Sequence, residues 1–126
     1  MFNCFLLDTH TFLWMVADDS RLQPAEKHLA VADKLYLSVA SWWEIAIKIN
    51  LGKLDFDYAE LLIIADKMGL STLAIKPQHC QRLLTLPPHH KDPFDRMLVA
   101  QAIAEDIPVL SHDELLSRYS SLVILF

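Results

Sequence analysis

The sequence predicts an α/β protein built on a parallel sheet of five strands with helices on both faces. Two observations carry this. Five short, continuously apolar runs recur along the chain: FNCFLL (2–7), LYLSV (35–39), STLAI (71–75), PVLS (108–111) and LVILF (122–126). Strands buried on both faces read this way, without polar alternation. Segments of helical period separate the runs, and neither a Gly/Ser linker nor an internal repeat interrupts them. The length of 126 residues suits one domain, 1–126, with a single sizeable core.

Taken in order, the first strand is followed by a helix from about Thr9 to Ala17. Pro24, suited to a first helical position, is expected to open a helix that runs to about Ala32. After LYLSV a helix spans about Ser41 to Asn50, with Gly52 just past its end. Ser41 can cap that helix, and Glu44, three residues on, would close a capping box. Asp57 caps YAELLIIADKM, which stops at Gly69, and Pro77 opens a short helix to about Leu84. Beyond the Pro87-Pro88 loop, Asp92 caps and Pro93 opens a helix over 93–105. A short helix at 113–118 leads into the closing strand.

Composition narrows the function. Hydrophobic residues make up 53 % of the chain and charged ones 21 %, which excludes a disordered protein. No apolar run approaches the roughly 18–20 residues of a membrane span. The start, MFNCFLLDTH, has no basic region ahead of its apolar residues and reads as a strand, not a signal peptide. Cys4 and Cys80 form no CxxC motif, so buried, reduced thiols in a cytoplasmic protein are expected. The net charge of −5 disfavours binding nucleic acid through a basic face. A protein of this charge that handles RNA or DNA needs bound cations or a local basic patch.

In open α/β sheets, ligands collect beyond the carboxyl ends of the strands. Asp8 directly follows the first strand, and Asp113 follows the fourth. Either can be a helix N-cap. Glu44 lies one turn into the helix after the second strand, where it can pair with Lys48 at i+4. Asp95 heads the apolar stripe Leu98, Val99, Ala102. The helix dipole favours an acid there by roughly 0.3–1 kcal/mol. Arg96 can pair with Asp92 across one turn. Each acid thus has a local explanation, yet all four stand at helix starts along one edge of one sheet. Carboxylates converging in a half-buried cleft repel unless cations neutralise them. Oxygen ligands without Cys or a His pair favour Mg²⁺ or Mn²⁺, and such a cluster suits phosphodiester hydrolysis.

Four segments, LLDTHTFLW (6–14), SVASWWEIAIK (38–48), HHKDPFDRMLVAQA (89–102) and VLSHDELLSRY (109–119), resemble those of PIN-domain ribonucleases, more narrowly the VapC-like toxins of toxin–antitoxin pairs. They occur in the family's order and span almost the whole chain. HxxDPFDRxLxAQA, realised with His89, is the most specific of them. The resemblance implies a three-layer α/β/α fold with strand order 3-2-1-4-5. It maps metal-binding and catalytic roles onto Asp8, Glu44, Asp95 and Asp113. Ser111 would be a supporting hydrogen-bond donor and Asp92 an accessory acid. It further implies an RNA substrate, a homodimer, and an antitoxin that lies in an apolar groove and places a basic residue into the acidic site.

Two other readings stand beside this one. A catalytically silent interaction module with the same fold suits the negative charge and the aromatic content. A haloacid-dehalogenase-like phosphatase would want Asp-x-Asp where the chain has Asp8-Thr9-His10. His10, His89, His90 and His112 lack the spacing of a zinc site and read as loop or surface residues. Trp14, Trp42 and Trp43 read as core or interface packing. Lys48, Lys53, Lys91 and Arg96 are the cations placed nearest the cleft.

Overall fold

The structure, a computed structural model, describes residues 3–126. In chain order its elements are β1 (Cys4–Leu7), α1 (Thr9–Ala17), a 3₁₀ turn (Ser20–Ala25), α2 (Glu26–Ala30), β2 (Lys34–Ser38), α3 (Val39–Asn50), α4 (Tyr58–Lys67), β3 (Leu70–Leu73), α5 (Pro77–Leu83), α6 (Pro93–Glu105), β4 (Val109–Ser111), α7 (Glu114–Ser117) and β5 (Val123–Leu125). The sheet order is β3-β2-β1-β4-β5, and every pairing is parallel. Fold class and strand order are therefore those expected. Phe2, assigned to the first strand, lies outside the described residues.

Alternation along β1 divides the interior. Phe5 and Leu7 enter one core with Phe12 and Leu13 of α1, Trp42 and Ile45 of α3, and Leu61 of α4. Leu6 enters the other with Leu98, Val99 and Ala102 of α6 and Leu116 of α7. Successive side chains of a strand point to opposite faces, so an apolar run is what two helical layers require. Truncating a fully buried leucine here, such as Leu6, to Ala should cost about 2–5 kcal/mol.

Several boundaries differ from the sequence reading. The Pro24–Ala32 helix is instead the 3₁₀ turn followed by the short α2. Asp19 accepts the backbone N–H of Arg21 and starts the turn earlier, with Pro24 inside it. Val39 opens α3 and does not end β2. The cap is Ser38, whose Oγ accepts the N–H of Ala40, so Ser41 lies within the helix and the Ser41–Glu44 capping box does not form. Gly52 and Gly69 follow α3 and α4 at φ +73° and +76°, a conformation that carries a steric cost for any side chain. Cys4 is half-buried and Cys80 exposed; both are free, and neither is the buried thiol expected. Among the described residues no helix is long and apolar enough to cross a membrane.

The topology makes a place for chemistry. β1 and β4 are neighbours, and the connections from their carboxyl ends run in opposite directions, to β2 and to β5. That switch point opens a crevice, and Asp8, Ser111 and Asp113 all stand at its edge.

Candidate active site

Asp8 leaves β1 and caps α1 through Oδ1, which accepts the N–H of Thr11 at 2.8 Å. Its other oxygen, Oδ2, accepts the hydroxyl of Ser111, the last residue of β4, at 2.6 Å. The capping role and the place in the cleft are thus held by different oxygens of one buried carboxylate. Ser111 Oγ also accepts the backbone N–H of Asp113 at 3.0 Å, coupling the ends of the two central strands. Asp113 repeats the division: Oδ1 caps α7 at Leu115 N–H, and Oδ2 faces the cleft.

Asp95 enters from α6. Asp92 caps that helix, its Oδ1 accepting the N–H groups of Phe94 (2.8 Å) and Asp95 (3.2 Å). The expected Asp92–Arg96 pair does not form. Arg96 instead donates to the carbonyl of Pro87 (3.0 Å) and to Tyr119 Oη (3.1 Å), stapling the loop before α6 onto the helix. The Asp95 side chain is 20 % exposed. Burial, then the charges of Asp92 and Glu44, push its carboxyl up to about 7; His90 opposes the rise and Asp8 adds to it.

Glu44 is buried, with both oxygens engaged. Oε1 accepts the Thr9 hydroxyl at 2.7 Å, and Oε2 pairs with Lys48 Nζ at 2.8 Å. The i, i+4 pair was expected as a solvated contact; in the fold the acid end lies within the protein. Glu44 therefore contributes charge to the cleft while its oxygens are held by neighbours.

One residue was missed. His90 Nε2 donates to Asp113 Oδ2 at 3.1 Å and lies 3.1 Å from Asp95 Oδ2. Its nitrogen and the two carboxylate oxygens all fall within 4.8 Å of one another. The sequence reading set this residue among loop histidines and gave the motif position to His89. That side chain is exposed and packs against the Tyr119 ring, 5.2 Å between centroids. The available signal was placement: His90 sits two residues before the cap of the helix that carries Asp95.

Beside the acids lies a cleft of about 430 Å³ lined by Asp8, His10, Trp14, Arg21, His112 and Asp113. Trp14 is packed by Arg21 on its face, 4.4 Å from the centroid, and by His112 at 5.4 Å. Trp42 is core, whereas Trp43 is 60 % exposed. Another hollow of about 410 Å³, at Gln78, Gln81, Arg82, Thr85 and Ala104, has no acid in its lining.

The donor set fits a divalent cation. Two carboxylate oxygens stand close together, a third acid is tied to them through Ser111, and Asp95 is held towards its neutral form by burial and, after it, by the negative charge of Asp92 and Glu44. Hard oxygen donors of this kind suit Mg²⁺ or Mn²⁺.

Together, the fold and the acidic cleft at its switch point define a three-layer α/β/α protein with its polar site between the two central strands. The profile of the PIN domain matches residues 5–122, and the chain belongs to that family. Three solved structures share the fold. VapBC2 from Rickettsia felis, bound to a DNA fragment from their promoter, has a TM-score of 0.68 at 14 % identity, covering 98 % of this chain and 97 % of that one. A toxin–antitoxin complex from Klebsiella pneumoniae also scores 0.68 at 14 % identity, with 94 % of each chain covered. VapBC-1 from nontypeable Haemophilus influenzae scores 0.62 at 15 % identity, with 87 % of each covered. Comparison with curated proteins finds no significant match.

Proposed function

We propose that this protein is a Mg²⁺- or Mn²⁺-dependent endoribonuclease, a single domain over 1–126 that serves as the toxin of a toxin–antitoxin pair in the cytoplasm. The observation that carries the reading is the Asp95–Asp113 pair at the switch point, with Asp8 joined to it through Ser111. Asp8, Asp95 and Asp113 would hold the cation, with Glu44 as the fourth acid. A bound divalent ion lowers the pKa of a water and stabilises charge on phosphoryl oxygens. The chain's own residues prepare the place: Ser111 orients Asp8, the caps of α1 and α7 immobilise one oxygen of Asp8 and of Asp113, and Thr9 holds Glu44. PIN family membership supports nuclease chemistry.

Support for a protein partner comes from α3 and α4. Val39, Trp43 and Ile47 on α3 and Leu51 at its C-cap are exposed at four-residue intervals, and Leu62 and Ile63 are exposed on α4. A contiguous apolar face of this kind marks an interaction surface. The Trp43 ring meets Phe94 edge-on at 5.2 Å, so the stripe passes beside the turn that carries Asp95. An antitoxin segment along this face would reach the acids, where a basic side chain meets an excess of negative charge. Homodimerisation belongs to the same reading.

The test is RNA cleavage. Purified protein is incubated with a structured RNA carrying single-stranded loops, with Mg²⁺, with Mn²⁺ and with chelator, alongside Asp95→Asn prepared identically. Cleavage that needs metal and disappears in Asp95→Asn is expected. Full activity in the variant, or cleavage unaffected by chelator, would sink the reading. Absence of both cleavage and divalent-ion binding in the unaltered protein would favour the silent interaction module.

A further inference from the structure

The residue that the functional reading leaves without a task is His90, the only imidazole among the described residues whose ring nitrogen lies within hydrogen-bonding distance of the cleft acids. Its distances alone fit two roles. Nitrogen and oxygens about 3 Å apart could share a cation, or the nitrogen could donate a proton to the carboxylates. The far side of the ring decides. Nδ1 accepts the backbone N–H of Asp92 at 3.1 Å, so it must present a lone pair there. A neutral ring with a lone pair on Nδ1 carries its proton on Nε2. A metal-ligating histidine is built the other way: the free nitrogen binds the ion while the remaining ring N–H donates to an acceptor. Here that outer position is filled by a donor.

We propose that His90 is a positioning residue for the metal-binding acids: its Nε2–H holds Asp113 beside Asp95 at the separation a cation needs, without itself being a ligand. This rests on the reading of the acid cluster as a divalent-cation site. Two close carboxylates repel, and with no donor between them they are free to swing apart. One N–H donated to Asp113 Oδ2 and facing Asp95 Oδ2 opposes that separation, and each carboxylate keeps further lone pairs for an ion.

The ring is aimed by a fixed loop. The His90 backbone N–H donates to Tyr119 Oη at 2.7 Å, and that hydroxyl lies 3.3 Å from the His90 carbonyl, to which it donates. Arg96 donates to the same Oη and to the carbonyl of Pro87, fixing both ends of the segment 87–90. The arginine of DPFDR is thus a loop anchor, and its effect reaches the acids through Tyr119 and His90.

Mn²⁺ itself is the probe, with affinity read from the paramagnetic resonance of the free ion, in the unaltered protein and in His90→Ala, His90→Gln and Asp95→Asn. His90→Ala should bind on the order of ten-fold more weakly. Gln presents an amide N–H near the position of Nε2 and should restore affinity to within about three-fold. Spin-echo modulation of the bound ion should carry no signal of a coordinated imidazole nitrogen. Equal or tighter binding by His90→Ala, or a coordinated-nitrogen signal, overturns the proposal. If His90→Ala does not fold, Tyr119→Phe carries the test. It removes the hydroxyl that fixes the loop, should weaken Mn²⁺ by about three-fold, and overturns the proposal if affinity is unchanged. Failure of the underlying reading looks different: the unaltered protein then binds no Mn²⁺, or Asp95→Asn binds it equally well, and the role of His90 falls with it. Loss in Asp95→Asn with unchanged affinity in His90→Ala and His90→Gln would leave the metal site standing and overturn this role alone.

Discussion

His79 and His90 share a local construction. Each Nδ1 accepts a backbone N–H, from Lys76 at 3.0 Å and from Asp92 at 3.1 Å, and each Nε2 faces a carboxylate, Glu105 at 2.8 Å and Asp113 at 3.1 Å. Their surroundings separate them. His79 is completely buried and joins α5 to the end of α6, where one acid meets one imidazole and Lys76 stands 3.5 Å away. The hydrogen bond from His79, helped by Lys76, holds the Glu105 carboxyl below its usual range. His90 faces Asp113 and Asp95 together, and Asp95 is pushed up to about 7. The first joint is balanced and closed. The second has more negative charge than its own residues neutralise, and a cleft opens beside it. The same histidine–acid unit joins two helices where charge is balanced, and under the proposed function it positions metal-binding acids where an excess remains.

The comparison is tested hardest at Asp95. Asp95→Asn should lower RNA cleavage by more than about a hundred-fold while far-UV circular dichroism is unchanged. An active variant would return this cluster to the structural class of His79. The reciprocal change is His79→Ala, which removes a buried ring and leaves the Lys76 N–H and Glu105 without their partner. It should cost about 2–4 kcal/mol in urea denaturation and leave cleavage per folded molecule as it was. Loss of cleavage at undiminished stability would join the two regions functionally.

The pH dependence of stability sharpens the contrast, because the two acids shift in opposite directions. Asp95 has a folded pKa of about 7, above the ordinary aspartate value of 3.8. Its effect on metal-free stability is most favourable below the unfolded value and is lost as pH rises to about 7, because the unfolded chain ionises first. Asp95→Asn should therefore stabilise the metal-free protein at pH 8 by on the order of 2 kcal/mol, with the difference vanishing near pH 4. Urea midpoints at both pH values measure this, and a variant less stable than the unaltered protein at pH 8 would contradict the raised pKa of Asp95. Glu105 runs the other way. Its pKa is lowered, so its contribution is present above the unfolded value and lost as pH falls through the folded one. Since Glu105 is 29 % exposed, Glu105→Gln should cost less than about 1 kcal/mol at pH 7 and nothing in acid. A larger cost would place that pair in a drier environment than its exposure indicates.

By itself the sequence determined the parallel α/β sheet, its five strands, the helix starts at Asp57, Asp92 and Pro77, and the positions of Asp8 and Asp113 at strand ends. Apolar runs, helical period and cap chemistry act over a few residues and can be read from them. The start of α3 went astray because Ser38 and Ser41 are equally good caps locally, and pairing of Ser38 with Leu73 in the sheet decides between them. Tertiary structure alone tied Asp8 to Ser111, 103 residues away, turned Glu44 to Thr9 across 35, and chose His90 over His89. In each case two remote segments must first be brought together by the two cores that β1 divides. Only then does the sum of their charges and hydrogen bonds exist to give a side chain its task.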